Sequence, residues 1–190
     1  MKLVFASNNK NKIEEIRHQL PPEIELLSLE DIGCHEDIPE TEDTIEGNAI
    51  LKANYVTQNY GYDCFADDTG LEVNALNGAP GVYSARYAGE EKSAEANMDK
   101  LLNELNDSAN RSANFKTVIA LNLNGKQHLF TGVVDGYITL QRAGDKGFGY
   151  DPIFMPNGLN LTFAQLSLTE KAQLSHRGRA VKQLIHYLKL

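Results

Sequence analysis

The chain has 190 residues, of which 42% are hydrophobic and 23% charged, so it can bury a core, and wholesale disorder is disfavoured. At roughly 150 residues per domain, this length predicts one domain spanning residues 1–190. The net charge of −8 argues against a protein that coats nucleic acid, because phosphate-backbone binding requires a basic surface. It permits a small phosphorylated ligand held by a few local cations.

The N-terminal residues bear on the cellular compartment. The apolar run after Lys2 is only Leu3–Ala6, shorter than the roughly 7–15 residues of a signal-peptide core. No apolar run approaches the roughly 18 residues that span a bilayer. Two distant cysteines, Cys34 and Cys64, are weak support for a reducing environment. We therefore expect a cytoplasmic protein that has no membrane partner.

Hydrophobic spacing predicts a β–α–β order in the first part of the chain. The predicted elements are a strand over Leu3–Ala6, a helix from Lys12 that Pro21-Pro22 stops, a strand over Ile24–Leu29, a helix capped by Thr44 and running to Tyr60, and a strand over Tyr62–Ala66.

The second part of the chain predicts a helix, a hairpin and a final helix. The elements are a helix opened by Ser93, a polar break over Asn106–Asn114, strands over Phe115–Leu123 and Lys126–Val134, and a C-terminal helix with Val181, Leu184, Ile185 and Leu188 on one stripe. Asn124-Gly125 joins the two strands, and Asn-Gly is a strong hairpin signal because both turn positions require positive φ. We expect a mixed α/β fold: a twisted sheet with flanking helices.

A polar loop directly follows the first strand and precedes a helix. The N-terminus of a helix offers unpaired N–H groups and partial positive charge to an oxyanion. The loop adds neutral donors and two cations, and it comprises Ser7, Asn8, Asn9, Lys10, Asn11 and Lys12. It lacks the Walker A pattern. It is either a phosphate-binding loop or an ordinary capped turn.

Acidic residues follow the strand over Tyr62–Ala66. A tight turn at Asp67-Asp68-Thr69-Gly70 would leave a carboxylate at the strand's end, where hard oxygen ligands suit Mg²⁺. Successive side chains of a strand point to opposite faces, so only one aspartate faces a given site, and alternation does not say which. Solvated turn acids are the alternative.

Two further segments combine residue types that can recognise a base. Gly147 to Phe154 places aromatic rings between glycines, where an exposed ring could stack on a base; a core strand is the alternative. Lys171 to Arg177 gathers Lys, Ser, His and Arg before the C-terminal helix. Ser175 and His176 are adjacent in sequence, which is a poor arrangement for a nucleophile and its base.

Six motifs, taken together and in order, closely resemble the inosine/xanthosine triphosphate pyrophosphatase family over nearly the whole chain. The motifs are Ser7-x-Asn9-x-x-Lys12, Glu46 to Ala53, Ala66 to Leu71, Gly78 to Tyr87, Gly147 to Pro152 and Ser175 to Gly178. The resemblance implies an elongated fold with two lobes around a central cleft. It also implies a homodimer that uses Mg²⁺ to cleave ITP, dITP and XTP to the monophosphate and pyrophosphate, cleansing the nucleotide pool of deaminated purines.

The resemblance also implies residue roles. Asp68 would bind metal together with Glu40 and would activate the water. The phosphates would be held by Ser7, Asn8, Asn9, Lys10, Asn11, Lys12 and Lys52. The substrate and its base would be held by Thr69, Phe148, Gly149, Tyr150, Asp151, Lys171, His176 and Arg177. Asn8 departs from the family pattern, in which many relatives have Gly.

Two other functions remain open at this stage. One is a pyrimidine-directed pyrophosphatase of related fold, which would cleave dTTP or UTP. The other is a nucleotide-binding module without catalytic activity. The hypothesis of a purine-directed pyrophosphatase predicts that the protein recognises the carbonyl O6 of hypoxanthine and xanthine, since adenine presents an amino donor at that position.

Overall fold

The computed structural model describes residues 1–189 and is a mixed sheet with packed helices, which confirms the predicted fold class. The strands are β1 (Lys2–Phe5), β2 (Glu25–Leu27), β3 (Cys64–Val73), β4 (Pro80–Gly81), β5 (Ser112–Leu123), β6 (Lys126–Ile138) and β7 (Phe154–Pro156). The helices are α1 (Lys10–Gln19), α2 (Ile45–Tyr60), α3 (Ala94–Glu104), α4 (Leu168–Leu174) and α5 (His176–Leu188). Within residues 1–189, no helix has the length and apolar character needed to cross a bilayer.

The strand order is β2-β1-β3-β5-β6-β7, and β4 pairs with the C-terminal part of β3. β1 runs parallel to both of its neighbours, whereas β4 and β7 are antiparallel to theirs. Phe65 is the last β3 residue in register with β1. Asp67 and Asp68 therefore lie on β3 beyond the last residue that β1 pairs with.

The chain folds as two compact units. The first comprises residues 1–68, 117–132 and the segment from Arg177, and the second comprises residues 69–116 and 133–176. The single domain with two lobes around a cleft, expected from the resemblance, stays a prediction.

The first unit has an apolar layer on each face of its strands. Successive strand residues point to opposite faces. Phe5 therefore packs with Ile16 of α1 and Leu184 of α5, and its ring stacks on Phe65 with centroids 4.8 Å apart. Val4, its neighbour, belongs to the opposite layer, which α2 covers. The two layers hold β1 against β3, and Asp67 and Asp68 lie on β3 beyond the part that pairs with β1.

The second unit has a core built around phenylalanine rings. Phe115 lies 4.7 Å from Phe154 and 6.0 Å from Phe163, measured between ring centroids. Met98 and Leu101 of α3 pack into the same cluster. This aromatic core extends to the segment from Gly147 to Phe154, because Tyr150 belongs to it.

Three local predictions are confirmed. The Thr44 hydroxyl accepts from the Gly47 N–H (2.9 Å) at the start of α2, and Ser93 caps α3 in the same way. Asn124 and Gly125 join β5 to β6 with φ of 50° and 74°. Each of these rules depends only on residues adjacent in sequence.

The prediction of a tight turn at residues 67–70 is wrong, because β3 continues to Val73. The continuing backbone finds partners beyond β1. Leu71 lies opposite Gly81 of β4, and its N–H also donates to Ser84 Oγ (2.8 Å). The two aspartates therefore lie within a strand, where they point to opposite sides.

Helix boundaries also differ from the predictions. α1 begins at Lys10 rather than Lys12, because Asn9 is its N-cap and accepts two backbone N–H groups. Lys171 lies inside α4, and His176 is the first residue of α5, so this motif does not precede the C-terminal helix but spans two helices.

Strand boundaries differ as well. β2 ends at Leu27 rather than Leu29, because a short 3₁₀ turn follows at Glu30–Ile32. β5 begins at Ser112, inside the predicted polar break, and β6 continues beyond Val134 to Ile138.

Candidate functional site

Charged side chains collect where β3 extends past β1, and all of them belong to the first unit. We call this set the ionic cluster. Its members are Lys12, Glu15, Glu40, Lys52, Asp67, Asp68 and Arg177.

Asp67 is the buried centre of the ionic cluster. Lys12 Nζ lies 3.0 Å from its Oδ1, and Arg177 Nε lies 3.0 Å from its Oδ2. Burial alone would raise the pKa of Asp67, but the charges of Lys12 and Arg177 outweigh it and hold that pKa well below the usual 3.8. Asp67 is therefore a permanent anion that binds two cations.

Arg177 is fully buried and also pairs with Glu15, whose Oε2 lies 2.6 Å from Nη1. Burial would lower the pKa of the guanidinium, but Asp67 and Glu15 raise it above its usual value. Glu15 was not predicted, because its spacing in α1 resembles that of a surface residue. The sequence signal that could have indicated the burial of Glu15 is its place in α1 directly before the apolar Ile16.

Asp68 points away from Asp67 and has a different environment. Lys52 Nζ lies 3.9 Å from Asp68 Oδ1 and 2.5 Å from Glu40 Oε1, so one ammonium group holds two carboxylates. Asp68 Oδ2 is buried and has no hydrogen-bond partner within residues 1–189. Burial raises the pKa of Asp68, aided by Glu40 and Asp67 and opposed by Lys52 and Lys12.

The loop from Ser7 to Lys12 is ordered by its own side chains. Asn9 Oδ1 accepts from the N–H groups of Asn11 (3.0 Å) and Lys12 (3.2 Å), and Ser7 Oγ accepts from Asn9 N–H (3.2 Å). Asn8 does not have a positive φ, so the departure from glycine carries no backbone strain. Lys12 reaches into the ionic cluster, whereas Lys10 is exposed.

The second unit contains a separate group, which we call the aromatic–basic cluster: Phe148, Asp151, Phe163, Lys171 and His176. Lys171 Nζ donates to Asp151 Oδ2 (2.6 Å) and lies 4.7 Å from the centroid of the Phe148 ring. The backbone N–H of Phe148 donates to the same carboxylate oxygen (3.0 Å). Lys171 is thereby a buried cation that is held in position.

Glycine is required next to this carboxylate. Gly147 has a φ of +70°, and a Cβ there would lie 2.0 Å from Asp151 Oδ2. The glycines of the segment thus allow a close approach of the backbone to Asp151. The alternative of a core strand is wrong for residues 147–150, which form bends and turns.

His176 is packed, not poised as a base for Ser175. Its ring stacks on Phe115, with centroids 4.5 Å apart and planes at 13°, and lies 5.9 Å from the Phe163 ring. Tyr150 is also buried, and its hydroxyl donates to the Ser84 carbonyl (2.7 Å). Burial raises the pKa of Tyr150. Ser84, which the sequence did not single out, thereby links this segment to β3.

The structure divides the predicted residues between the two clusters. The first unit brings together Glu40, Lys52, Asp68 and Lys12. The second unit brings together Phe148, Asp151, Lys171 and His176.

The other predicted residues have different contacts. The hydroxyl of Tyr150 donates to the carbonyl of Ser84, and Arg177 pairs with Asp67 and Glu15 in the first unit. Thr69 and Gly149 are half-buried. The substrate roles of these residues stay predictions.

The acidic residues of the ionic cluster fit a magnesium ion that shares its coordination with a substrate. No set of three or more His, Cys, Asp or Glu side chains within residues 1–189 is placed to hold a metal alone. Glu40 and Asp68 supply two carboxylates, and in the described part of the chain one buried oxygen of Asp68 has no hydrogen-bond partner. Mg²⁺ binds one or two carboxylates together with phosphate oxygens and water.

The ion pairs of Asp67 predict a pH-dependent contribution to stability. Asp67→Asn should lower the free energy of unfolding by about 3–5 kcal/mol at pH 7, because it leaves buried cations without their anion. Since the pKa of Asp67 is lower in the folded than in the unfolded state, this loss should stay constant above about pH 5 and shrink as the pH falls below about 4.

Urea unfolding of both proteins between pH 3 and pH 8 measures this difference. Asp107→Asn, at an exposed position, is the matched control and should have no such effect. A loss on Asp67→Asn that grew toward low pH would contradict the assignment.

Comparison with known proteins places this arrangement in a family. The sequence profile of the Ham1 family matches residues 3–187. The dITP/XTP pyrophosphatase of Flavobacterium psychrophilum is 69% identical and covers 100% of both chains. The solved structure of the Staphylococcus aureus Ham1 protein is 43% identical, with a TM-score of 0.91 over 100% of this chain and 98% of that one. A nucleoside-triphosphatase / dITP/XTP pyrophosphatase from Mycobacterium abscessus is 42% identical, with a TM-score of 0.79 over 97% and 99%. The resemblance inferred from the six motifs is confirmed: the chain belongs to the Ham1 family.

Proposed function

We propose that the protein is a hydrolase that cleaves the deaminated purine triphosphates ITP, dITP and XTP to the monophosphate and pyrophosphate. The observation that carries this proposal is Asp68, which lies beside Glu40, Lys52 and Lys12 and has one buried oxygen without a hydrogen-bond partner in residues 1–189. The names of the relatives support the same activity. By removing these nucleotides, the enzyme would keep their bases out of DNA and RNA.

We assign the metal to Glu40 and Asp68 and take it to be Mg²⁺. When bound, it would neutralise charge on the triphosphate and lower the pKa of a coordinated water. The contact of Lys52 with both carboxylates orders them in the protein without metal. Two carboxylates held by one ammonium group form a site that gains affinity when phosphate oxygens complete it.

The residues of the ionic cluster then have separate tasks. Asp68, with its raised pKa, would orient a water toward the α-phosphorus and accept its proton. Lys12, Lys52 and the loop from Ser7 to Asn11 would bind the phosphates and offset the charge that grows on the departing pyrophosphate. Asp67 would keep Lys12 in position and take no part in proton transfer.

The aromatic–basic cluster would recognise the base. The Lys171 ammonium group can donate to O6 of hypoxanthine or xanthine but cannot accept from the amino group of adenine. Bound adenine would leave a buried donor unpaired. We propose that Phe148, Gly149, Tyr150, Asp151, His176 and Thr69 complete this recognition, and that Arg177 contributes from the ionic cluster. A cytoplasmic homodimer remains the expected state.

A panel of nucleotides tests the activity. With Mg²⁺, the protein should turn over ITP, dITP and XTP far faster than ATP, dTTP or UTP, and pyrophosphate should be the product. Asp68→Asn should lower kcat by about 10²–10⁴-fold, because the proton acceptor is lost. Release of pyrophosphate, followed with and without an added inorganic pyrophosphatase, is the measurement.

Preferential cleavage of dTTP or UTP would replace this proposal with the pyrimidine-directed enzyme. Nucleotide binding without turnover would identify a module that lacks catalytic activity. Release of orthophosphate from ITP, in place of pyrophosphate, would exclude attack at the α-phosphorus.

Lys171 gives a separate test of base recognition. Lys171→Gln replaces a donor-only group with an amide that can also accept from the adenine amino group. We expect the ratio of kcat/KM for ITP to that for ATP to fall by at least about 10-fold. Circular dichroism checks that the variant is folded, and Lys146→Gln, at an exposed lysine, is the control. An unchanged ratio in a folded Lys171→Gln protein would contradict the role of Lys171.

A further inference from the structure

Glu40 lies in an extended acidic segment, residues 34–43, that has no helix or strand of its own. Such a segment cannot hold a ligand in place by backbone hydrogen bonds alone. The contacts that order it come mainly from α2, and they involve every second residue.

One end of the segment is fixed by a carboxylate that accepts hydrogen bonds from two phenol groups. Tyr55 Oη lies 2.7 Å and Tyr60 Oη 2.6 Å from the same oxygen of Glu36, Oε1. The other oxygen, Oε2, accepts from the His35 N–H at 3.1 Å. We call Glu36, Tyr55 and Tyr60 the tyrosine clamp.

The rest of the segment is held in the same direction. Ile38 packs against the apolar layer that α2 covers, and Glu40 pairs with Lys52. Further on, the Glu42 N–H donates to Asn48 Oδ1 (3.0 Å). The side chains of residues 36, 38 and 40 therefore all face α2, as alternate side chains of an extended segment do, and the backbone of residue 42 is held by the same helix.

Close approach of this segment requires the glycine of α2. A Cβ on Gly47 would lie 2.8 Å from Glu42 Cβ and 2.9 Å from Thr44 Oγ1. The motif from Glu46 to Ala53 thus supplies space at Gly47, an acceptor at Asn48 and a cation at Lys52. Three residues of this motif therefore act on the acidic segment that α2 supports.

We propose that Glu36 is a positioning residue, which through the tyrosine clamp holds the segment so that Glu40 is placed for metal binding. The inference rests on the proposed function, in which Glu40 is a metal ligand. Lys52 alone cannot fix Glu40, because an ammonium group is a point charge that accepts many directions of approach. The clamp fixes the backbone four residues before Glu40, and Asn48 fixes it two residues after.

The hydrogen bonds of the tyrosine clamp should persist over the whole physiological pH range. The hydroxyls of Tyr60 and Tyr55 lower the pKa of Glu36 to about 2, and Glu36 in turn raises the pKa of both tyrosines. Both partners therefore keep the protonation states that the hydrogen bonds require. A structural support needs this property, whereas a pH switch would need the opposite.

The test removes the hydrogen bonds of the tyrosine clamp but keeps the aromatic rings of Tyr55 and Tyr60. Tyr55→Phe/Tyr60→Phe and Glu36→Ala should each raise the Mg²⁺ concentration for half-maximal ITP hydrolysis by about 10-fold, the low end of the effect for partners outside the coordination shell. The rate at saturating Mg²⁺ should stay close to that of the unmodified protein. Glu36→Gln keeps a carbonyl acceptor for the phenols and should restore part of the affinity.

Hydrogen exchange gives a readout that does not depend on turnover. In the metal-free protein, both clamp variants should speed amide exchange over residues 37–43. Tyr62→Phe and Asp37→Ala are matched controls, since both side chains are exposed, and they should change neither exchange nor Mg²⁺ dependence.

The outcomes separate this inference from the function on which it rests. If Glu40→Gln shifts the Mg²⁺ dependence and the clamp variants do not, the positioning role is overturned and the metal assignment stands. If Glu40→Gln has no effect on the Mg²⁺ dependence, the metal assignment is wrong and the positioning role falls with it. Faster exchange in the clamp variants with unchanged Mg²⁺ dependence would also overturn the positioning role.

Discussion

The ion pairs between Asp67, Lys12 and Arg177 are the constraint on which the first unit's site depends. Fully buried charges are tolerated only when they are paired and hydrogen-bonded. Here one carboxylate binds two cations from different parts of the chain, and Glu15 neutralises the second cation further. The pairs tie α1, β3 and the start of α5 together at one point.

The same ion pairs give neighbouring aspartates different chemistry. Asp67 points to the side where Lys12 and Arg177 lie and has its charge fully compensated. Asp68 points to the other side, where Lys52 is shared with Glu40 and one oxygen has no hydrogen-bond partner among the described residues. A strand achieves this separation simply because successive side chains alternate, so β3 had to continue through the pair instead of turning.

Sequence alone could predict the local features and the family, but strand alternation could not distinguish the two aspartates, and only the resemblance pointed to Asp68. The Thr44 cap and the Asn124-Gly125 turn follow from rules that involve only nearby residues. The burial of Glu15 and the support of Glu36 depend on partners far along the chain or on another helix, and no spacing rule reports them. Ser84 was missed for the same reason, since its partners Leu71 and Tyr150 come from distant segments.

The second unit follows the same physical logic with fewer charges. Lys171 is a buried cation that Asp151 holds in position, and Gly147 provides the space for that contact. An ammonium group donates and cannot accept, whichever way it rotates. In the proposed function, Asp151 would therefore hold in place the donor that distinguishes a carbonyl from an amino group.

The pKa values of the two aspartates should depart from the usual 3.8 in opposite directions, and carboxyl ¹³C NMR of the metal-free protein measures this directly. We expect Asp67 to stay ionised below pH 3.8, whereas Asp68 should take up its proton above that pH. If Asp67 took up its proton at a higher pH than Asp68, the separate roles of Asp67 as the partner of two cations and of Asp68 as the proton acceptor would be refuted.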